Sequence, residues 1–428
     1  MHLRPDGVVG RAIARVALGC LTVTMVPSGC DRAQPPGPRV KDAEADKSSV
    51  STPAPVPVPG PEADREIHGK VRMVDGQRLV NLWGTPQQRG YAHGYLLRAQ
   101  VLDVVDGYVL EALDPKLFTN LGGVYDASAQ IDAGLRQEAA AMIAGMKAAG
   151  GAQVAKLGRE LTAVDILLMN AMTDLVAVGC SSVSAWGEAT AADPELAGAL
   201  AVVRNLDWAA NPALLRSQVV MVYEPDDAEQ QPVVSVAFAG YLGCLSCMNR
   251  AGVTSLFNMG YGEGVGSRTR LAMGFAPANL LLRQAMQARD IDGDGKSTAA
   301  DIVEALEAGK HAGSYLVHVL EPPKQAASRG APPAHVVEVE AEGVAVRAPE
   351  ESSKLGGHVL AATNHLRKRQ AAKPGRRYRE IERTVSKARQ AVDQPGLWSL
   401  GERVQISADV VHTLMFVPEK GEVRVKLR

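Results

Sequence analysis

Two kinds of hydrophobic periodicity divide the chain near residue 180. Upstream, apolar positions recur at helical spacing. Ile131, Leu135, Ala139, Met142, Ile143 and Met146 fall on one face of a helix over 128–149, and Ile166, Leu167, Leu168 and Met172 mark another over 162–175. Thr85 followed by Pro86 supplies an N-cap and a first-turn proline, so a helix starts there and runs through Leu97 toward Leu113. Two short strands, 71–74 and 78–82, flank Asp75-Gly76 ahead of it. Downstream, alternation takes over. Segments 181–186, 198–207, 217–223, 232–239, 242–249 and 253–258 follow one another with turn residues between them, the spacing of consecutive antiparallel strands. Helical spacing returns at 272–289, 299–308 and 377–392; strands return at 314–320, 335–340, 344–348 and 358–362, and 410–418 with 422–427 closes the chain as a hairpin. Strands, then helices, then strands again imply an α+β fold with helices layered on antiparallel sheet. No repeat of solenoid period is present.

Composition narrows this picture without redirecting it. The chain has 428 residues, 46% hydrophobic and 22% charged, enough for one large domain or two ordinary ones. A net charge of −1, with no basic patch interleaved with aromatics, argues against a nucleic-acid partner. The five cysteines, Cys20, Cys30, Cys180, Cys244 and Cys247, are too few for a disulfide scaffold. Residues 1–30 read as an export signal: Arg4, Arg11 and Arg15 precede an apolar run at 16–26 that is too short to span a membrane. The run ends at Val26-Pro27-Ser28-Gly29-Cys30, which resembles a bacterial lipobox except that Pro27 stands where Leu is usual. Lipidation at Cys30 and plain secretion with cleavage near Gly29 both remain open. Residues 31–64 form a Pro/Ala-rich linker. Signal, tether, then a body from residue 65 is the order expected of a periplasmic or cell-surface protein, touching a membrane only through that anchor.

The candidate chemistry sits between Gly179 and Trp208. Most free cysteines are buried small hydrophobes. Cys180, however, lies at the change from helical to strand pattern, between Gly179 and Ser181-Ser182. A hairpin turning at Ala192-Asp193-Pro194-Glu195 would bring Arg204 and Asp207 back beside it, and a thiol nucleophile needs a base and a charge-stabilising neighbour.

Gly179-Cys-Ser-Ser182 followed by Arg204-Asn-Leu-Asp-Trp208 resembles the acyl-coenzyme A:isopenicillin N acyltransferase family of N-terminal-nucleophile hydrolases, with choloylglycine hydrolases and acid ceramidase as more distant relatives. Further similar blocks follow in order: Leu82 to Gly94, Asp165 to Asn170, Met248 to Val253, Thr363-Asn364-His365 and Arg376-Arg377-Tyr378. The resemblance implies a four-layer αββα sandwich, with 65–179 as a helical pro-segment and 180–428 as the core. It implies self-cleavage at Gly179–Cys180, after which the new α-amine, titrating near pH ~8, serves as base for its own thiol. Asp207 would orient that amine, and Arg204 would favour the thiolate or contact substrate. Asn258 would present its backbone N–H to the oxyanion and Asn364 a side-chain N–H, donors worth ~3 kcal/mol each in studied enzymes. Arg377 matches the late arginine, with Arg376 and Arg379 as competitors. No catalytic cofactor is implied. The substrate would be a small molecule with a non-peptide carboxamide; the relatives span penicillins, bile-salt conjugates, ceramides and peptides, and hydrolysis and acyl transfer both fit.

Three features depart from that pattern. Cys244-Leu-Ser-Cys247 sits in an apolar strand pattern, which favours packed thiols or a structural disulfide over redox catalysis. Asp290, Asp292, Asp294, Gly295 and Asp301 occupy positions 1, 3, 5, 6 and 12 of a calcium loop, with Lys296 at the backbone-carbonyl position 7; an acidic solvated loop is the alternative. Gly260, Gly262, Gly264 and Gly266 alternate without a nucleotide-binding context and read as a mobile loop. Two other functions stay in play: a catalytically silent, calcium-dependent surface binding protein, and a thiol–disulfide protein using Cys244 and Cys247.

Overall fold

The structure, a computed structural model, describes residues 13–16, 21–26, 66–175, 179–208, 210–262, 274–351, 354–388, 391–406 and 410–428. The 31–64 linker, most of the export signal, and Gly264 and Gly266 lie outside the described residues.

Thr85 starts the first helix, Pro86–Val104, through a reciprocal capping box: its hydroxyl accepts from Gln88 N–H while the Gln88 side chain accepts from Thr85 N–H at 2.8 Å. This helix crosses Ala133–Ala148 at backbone contact. A Cβ at Gly94 would lie 1.9 Å from the Met142 carbonyl oxygen and one at Gly90 2.0 Å from that of Glu138. The Gly90–Gly94 spacing is therefore a packing requirement.

The strands assemble into two large sheets. One has nine strands, ordered Gly343–Arg347, Ala334–Glu340, Tyr315–Leu320, Thr254–Met259, Ser246–Asn249, Val233–Phe238, Gln218–Pro225, Gln77–Gly84 and Gly69–Val74. The other runs Ile13–Val16, Leu21–Val26, Glu422–Leu427, Val410–Val417, Ala201–Asp207, Gly179–Ala185, Val359–Ala362. Pairing is antiparallel with two exceptions. Gln77–Gly84 lies parallel to Gln218–Pro225, and Leu21–Val26 parallel to Glu422–Leu427. The first exception has a plain cause: parallel neighbours need a long crossover, and the helices after residue 85 provide it. The 65–179 segment thus contributes two strands, Gly69–Val74 and Gln77–Gly84, to the sandwich as well as helices.

Alternation along these strands builds the layers. Val202, Leu360, Leu414 and Phe416 of the smaller sheet meet Val220, Val234, Leu256 and Leu316 of the larger one in a dry inter-sheet core. The opposite face of the smaller sheet, through Val183, Val203 and Met415, packs on Tyr378 and Ile381 of helix Arg376–Lys387 and on Leu397 and Trp398 of helix Gln394–Arg403. The outer face of the larger sheet, through Leu82, Met221 and Val317, packs on Leu97, Met142, Ile166 and Leu282 of the other helices. Helix, sheet, sheet, helix is the α+β, four-layer αββα order. Among the described residues no helix is long and apolar enough to cross a membrane.

Candidate active site

The hairpin forms in a register that sets the site. Gly179–Ala185 pairs antiparallel with Ala201–Asp207, placing Gly179 opposite Asp207, Cys180 opposite Leu206 and Ser182 opposite Arg204. With period-two alternation, Cys180, Ser182, Ser184 and Arg204 share the face toward the other sheet, while Asp207 faces the helix side. Gly179 has no room for a side chain: a Cβ would sit 2.6 Å from Ile406 Cδ1 and 3.2 Å from Asp207 Cβ.

Cys180 is fully buried, and its polar atoms are all addressed. Its backbone N–H donates to Asn364 Oδ1 at 3.2 Å, and Arg204 Nη2 lies 3.5 Å from its Sγ. The Met259 backbone N–H also points at the thiol. Burial raises the thiol pKa, with Arg204, Arg377 and the Met259 N–H acting to lower it and Asp207 to raise it. Arg204 is itself buried, donating to Ser246 Oγ at 2.6 Å and the Phe257 carbonyl at 2.5 Å. Asp207 accepts from Arg377 Nη1 at 2.7 Å and from Ile406 N–H at 3.1 Å. Arg377 also donates to Asn364 Oδ1, which ties the late arginine, Asp207 and the Cys180 nitrogen into one network. Of its competitors, Arg379 instead donates to the Pro374 carbonyl at 2.5 Å.

Two of the expected oxyanion donors are placed differently. The Asn258 side chain donates to Ser182 Oγ at 3.4 Å, and the backbone N–H at the thiol belongs to the next residue, Met259. Asn364 Nδ2 donates to the Met259 carbonyl at 2.8 Å, so its amide N–H holds a strand and its oxygen holds the Cys180 nitrogen. Met259 and Ser246 had no sequence signal, since one acts through its backbone and the other contacts Arg204, not the thiol. Tyr261 is half-exposed, electrostatically coupled to Cys180 and Arg377, and stacked edge-on against His365 at 5.5 Å.

The motif residues upstream of Cys180 turn out to be braces. His93 Nε2 accepts from Gly240 N–H at 2.9 Å, and burial drops its pKa to about 3, so it is a neutral acceptor. Asn170 Oδ1 accepts from Leu242 N–H at 2.6 Å and Gly243 N–H at 3.0 Å. Together they fix the turn that leads into Cys244. Cys244 and Cys247 are fully buried and joined as a disulfide, which leaves an exchange partner no approach.

The Asp290 loop is distant in character. Asp290, Asp292 and Asp294 are exposed, and their carboxylates offer oxygens within 4.8 Å of one another. Asp301 is not in this group. It is buried as the capping-box residue of helix Ala299–Ala308, accepting from Ile291 N–H at 2.5 Å and Thr298 N–H at 2.6 Å. Lys296 donates its backbone N–H to Asp294 at 2.8 Å.

No protein-family model matches the chain. It is 27% identical over 233 residues to protein dcd1A of Dictyostelium discoideum, which covers 49% of this chain and 49% of that protein. The chain therefore spans about half the length of the curated relative it matches. Among solved structures it is similar to the Caenorhabditis elegans N-acylethanolamine-hydrolyzing acid amidase ortholog, at 14% identity and a TM-score of 0.41, covering 56% of this chain and 93% of that one. It is also similar to a mutant conjugated bile acid hydrolase from Clostridium perfringens, at 12% identity and a TM-score of 0.29, covering 57% and 89%.

Proposed function

We propose that the chain is an exported, self-processing thiol hydrolase of non-peptide carboxamides, or an acyltransferase of the same chemistry, with Cys180 as nucleophile. One observation carries this reading: the Cys180 nitrogen and thiol are each held by groups suited to an amino-terminal nucleophile, the nitrogen by Asn364 Oδ1 and the sulfur by Arg204 and the Met259 N–H.

In the uncut chain the thiol attacks the Gly179 carbonyl. The Gly179–Cys180 C–N bond breaks, a thioester forms, and the nitrogen leaves as a free amine. Water then hydrolyses the thioester. The amine stays on Asn364 Oδ1, beside the Asp207–Arg377 pair, and takes the thiol proton during attack on a substrate R–CO–NH–R′. It returns that proton to the departing amine, and water or a second amine discharges the acyl-enzyme. Arg204 stabilises the thiolate, and the Met259 N–H faces the developing negative charge. The fragment ahead of the cut would remain attached, because Gln77–Gly84 lies inside the nine-stranded sheet.

The test is a panel of fluorogenic acyl amides given to the purified protein, with the acyl-enzyme trapped and mapped by mass spectrometry. Acylation at Cys180, absent in Cys180→Ala, supports the reading. A folded, soluble protein that turns over no amide and binds surfaces only with calcium supports the silent binding protein.

Export, and lipidation at Cys30, belong to the same proposal. Once a leader is removed, Glu422–Leu427 becomes the sheet edge, and its Glu422, Arg424 and Lys426 are the charges that guard a free edge against pairing. A structural Ca²⁺ at Asp290, Asp292 and Asp294 would serve stability, not chemistry.

A further inference from the structure

Arg204 is hydrogen-bonded to the thiol, and its own aim rests on two acceptors. Its Nη2 is shared between Cys180 Sγ and the Phe257 carbonyl. Its Nη1 is held by Ser246 Oγ at 2.6 Å, and its Nε has no hydrogen-bond partner among the described residues. Ser246 is fully buried.

Ser246 is in turn held from several sides. It lies inside the four-residue loop closed by the Cys244–Cys247 disulfide. Cys244 N–H donates to the Asn279 carbonyl at 2.9 Å. Phe257 N–H donates to the Leu245 carbonyl at 3.0 Å, while the Phe257 carbonyl accepts from Arg204. The turn ahead of the loop is fixed by Asn170 and His93. The strands that carry the two acceptors aiming the guanidinium, Ser246 Oγ and Phe257 O, are thus paired with each other, Ser246 opposite Leu256. The nucleophile function absorbs neither the C-x-x-C nor the serine within it.

We propose that Ser246, braced by the Cys244–Cys247 disulfide, is a positioning residue: it aims Arg204 at the Cys180 sulfur and so sets how readily the thiolate forms. The inference deepens the thiol-nucleophile reading and rests on it for its functional meaning. Removing the hydroxyl leaves Nη1 without that partner in a buried site, and the guanidinium rotates to recover one. The thiol then faces its own burial without full compensation, and its pKa climbs. The loop itself stays closed, because the disulfide does not depend on the hydroxyl.

The experiment measures ultraviolet thiolate absorbance against pH in the full chain, taken as the difference from Cys180→Ala, so no reagent has to reach the buried sulfur. It needs neither a substrate nor self-cleavage, so it succeeds or fails independently of the amidase reading. Ser246→Ala should move the titration midpoint up by about one pH unit, equivalent to a roughly tenfold smaller thiolate-to-thiol ratio on the acidic limb. Ser246→Thr, which keeps the hydroxyl, should restore the wild-type midpoint. Ser246→Val, which lacks the hydroxyl but fills more of the buried site, should match the alanine shift and carries the test if the alanine variant does not fold. A shift in Ser246→Ala that persists in an Arg204→Lys background would show that the serine acts independently of Arg204. An unchanged midpoint in folded Ser246→Ala would equally overturn the proposal.

Discussion

The Cys180 site and the Asp290 loop both gather charged side chains, and they do so in opposite surroundings. At Asp207 the carboxylate is buried, with Arg377 on one oxygen and a backbone N–H on the other. At Asp290, Asp292 and Asp294 the carboxylates are exposed and mostly turn back on their own loop. Burying a charge costs several kcal/mol unless partners offset it, whereas an exposed acidic cluster costs little to keep. On the proposed function, the costlier, buried arrangement carries the chemistry and the exposed one at most holds a cation.

This contrast makes the two regions respond differently to the same change. Asp207→Asn should lower amide turnover by about 10²–10⁴-fold, the range for groups that orient a catalytic base, and Asp294→Asn should leave turnover within twofold. Equal losses would erase the distinction. Next in size, Arg377→Ala strands a buried carboxylate and should cost about 3–5 kcal/mol in denaturant unfolding, against roughly 0.5 kcal/mol or less for Lys296→Ala on the exposed loop.

Acidification probes the buried interior on its own. His318 bridges the sheets between Ser182 Oγ at 2.9 Å and Ser184 Oγ at 3.0 Å, and burial lowers its pKa to about 3, as it does for His93. Below pH ~6.5 the unfolded chain protonates these histidines while the folded chain does not, so stability falls by about 1.4 kcal/mol per pH unit for each. Asp174, raised to about 7 by burial, works in the other direction: it stays protonated when folded, and the stability it contributes is lost as pH rises from ~4 toward 7. Two histidines outweigh one aspartate, and melting temperature should drop between pH 6 and pH 4. His318→Gln should flatten that slope; a slope unaltered in the variant would remove His318 from the account. The smallest effect is expected at the loop. Millimolar Ca²⁺ should raise melting by a few degrees in the wild type and not in Asp290→Asn, with turnover unchanged in both.

Much of the nucleophile hairpin was readable in the chain because alternation dictates register. The turn read at 192–195 pairs the two strands, and the observed register, Ser182 opposite Arg204, puts Arg204 on the face of Cys180. The Thr85 cap was equally local. Elements decided by tertiary packing were not legible. Helix Pro115–Ser128 carries Gly122-Gly123, each of which disfavours a helix by about 1 kcal/mol, yet Phe118, Gly122 and Tyr125 bury one face. Helix Gln394–Arg403 begins with a Pro-Gly pair that reads as a turn, and forms because Leu397, Trp398 and Leu400 cover the smaller sheet. The parallel pairing of Gln77–Gly84 depends on a partner about 140 residues away, beyond any local pattern. At the site, side-chain identity indicated which residues converge, but not which atoms do the holding. Met259 contributes a backbone N–H, Asn364 turns its oxygen to the nucleophile, and Asp301 caps a helix in place of joining the acidic cluster.

The central claim is that Cys180 becomes an amino terminus. Purified full-length protein should be incubated, separated on a denaturing gel and sequenced from each new N-terminus. The account predicts two fragments that co-elute under native conditions, the second beginning at Cys180, and a single intact band for Cys180→Ala. An intact wild-type chain after prolonged incubation, active toward an amide, would contradict it.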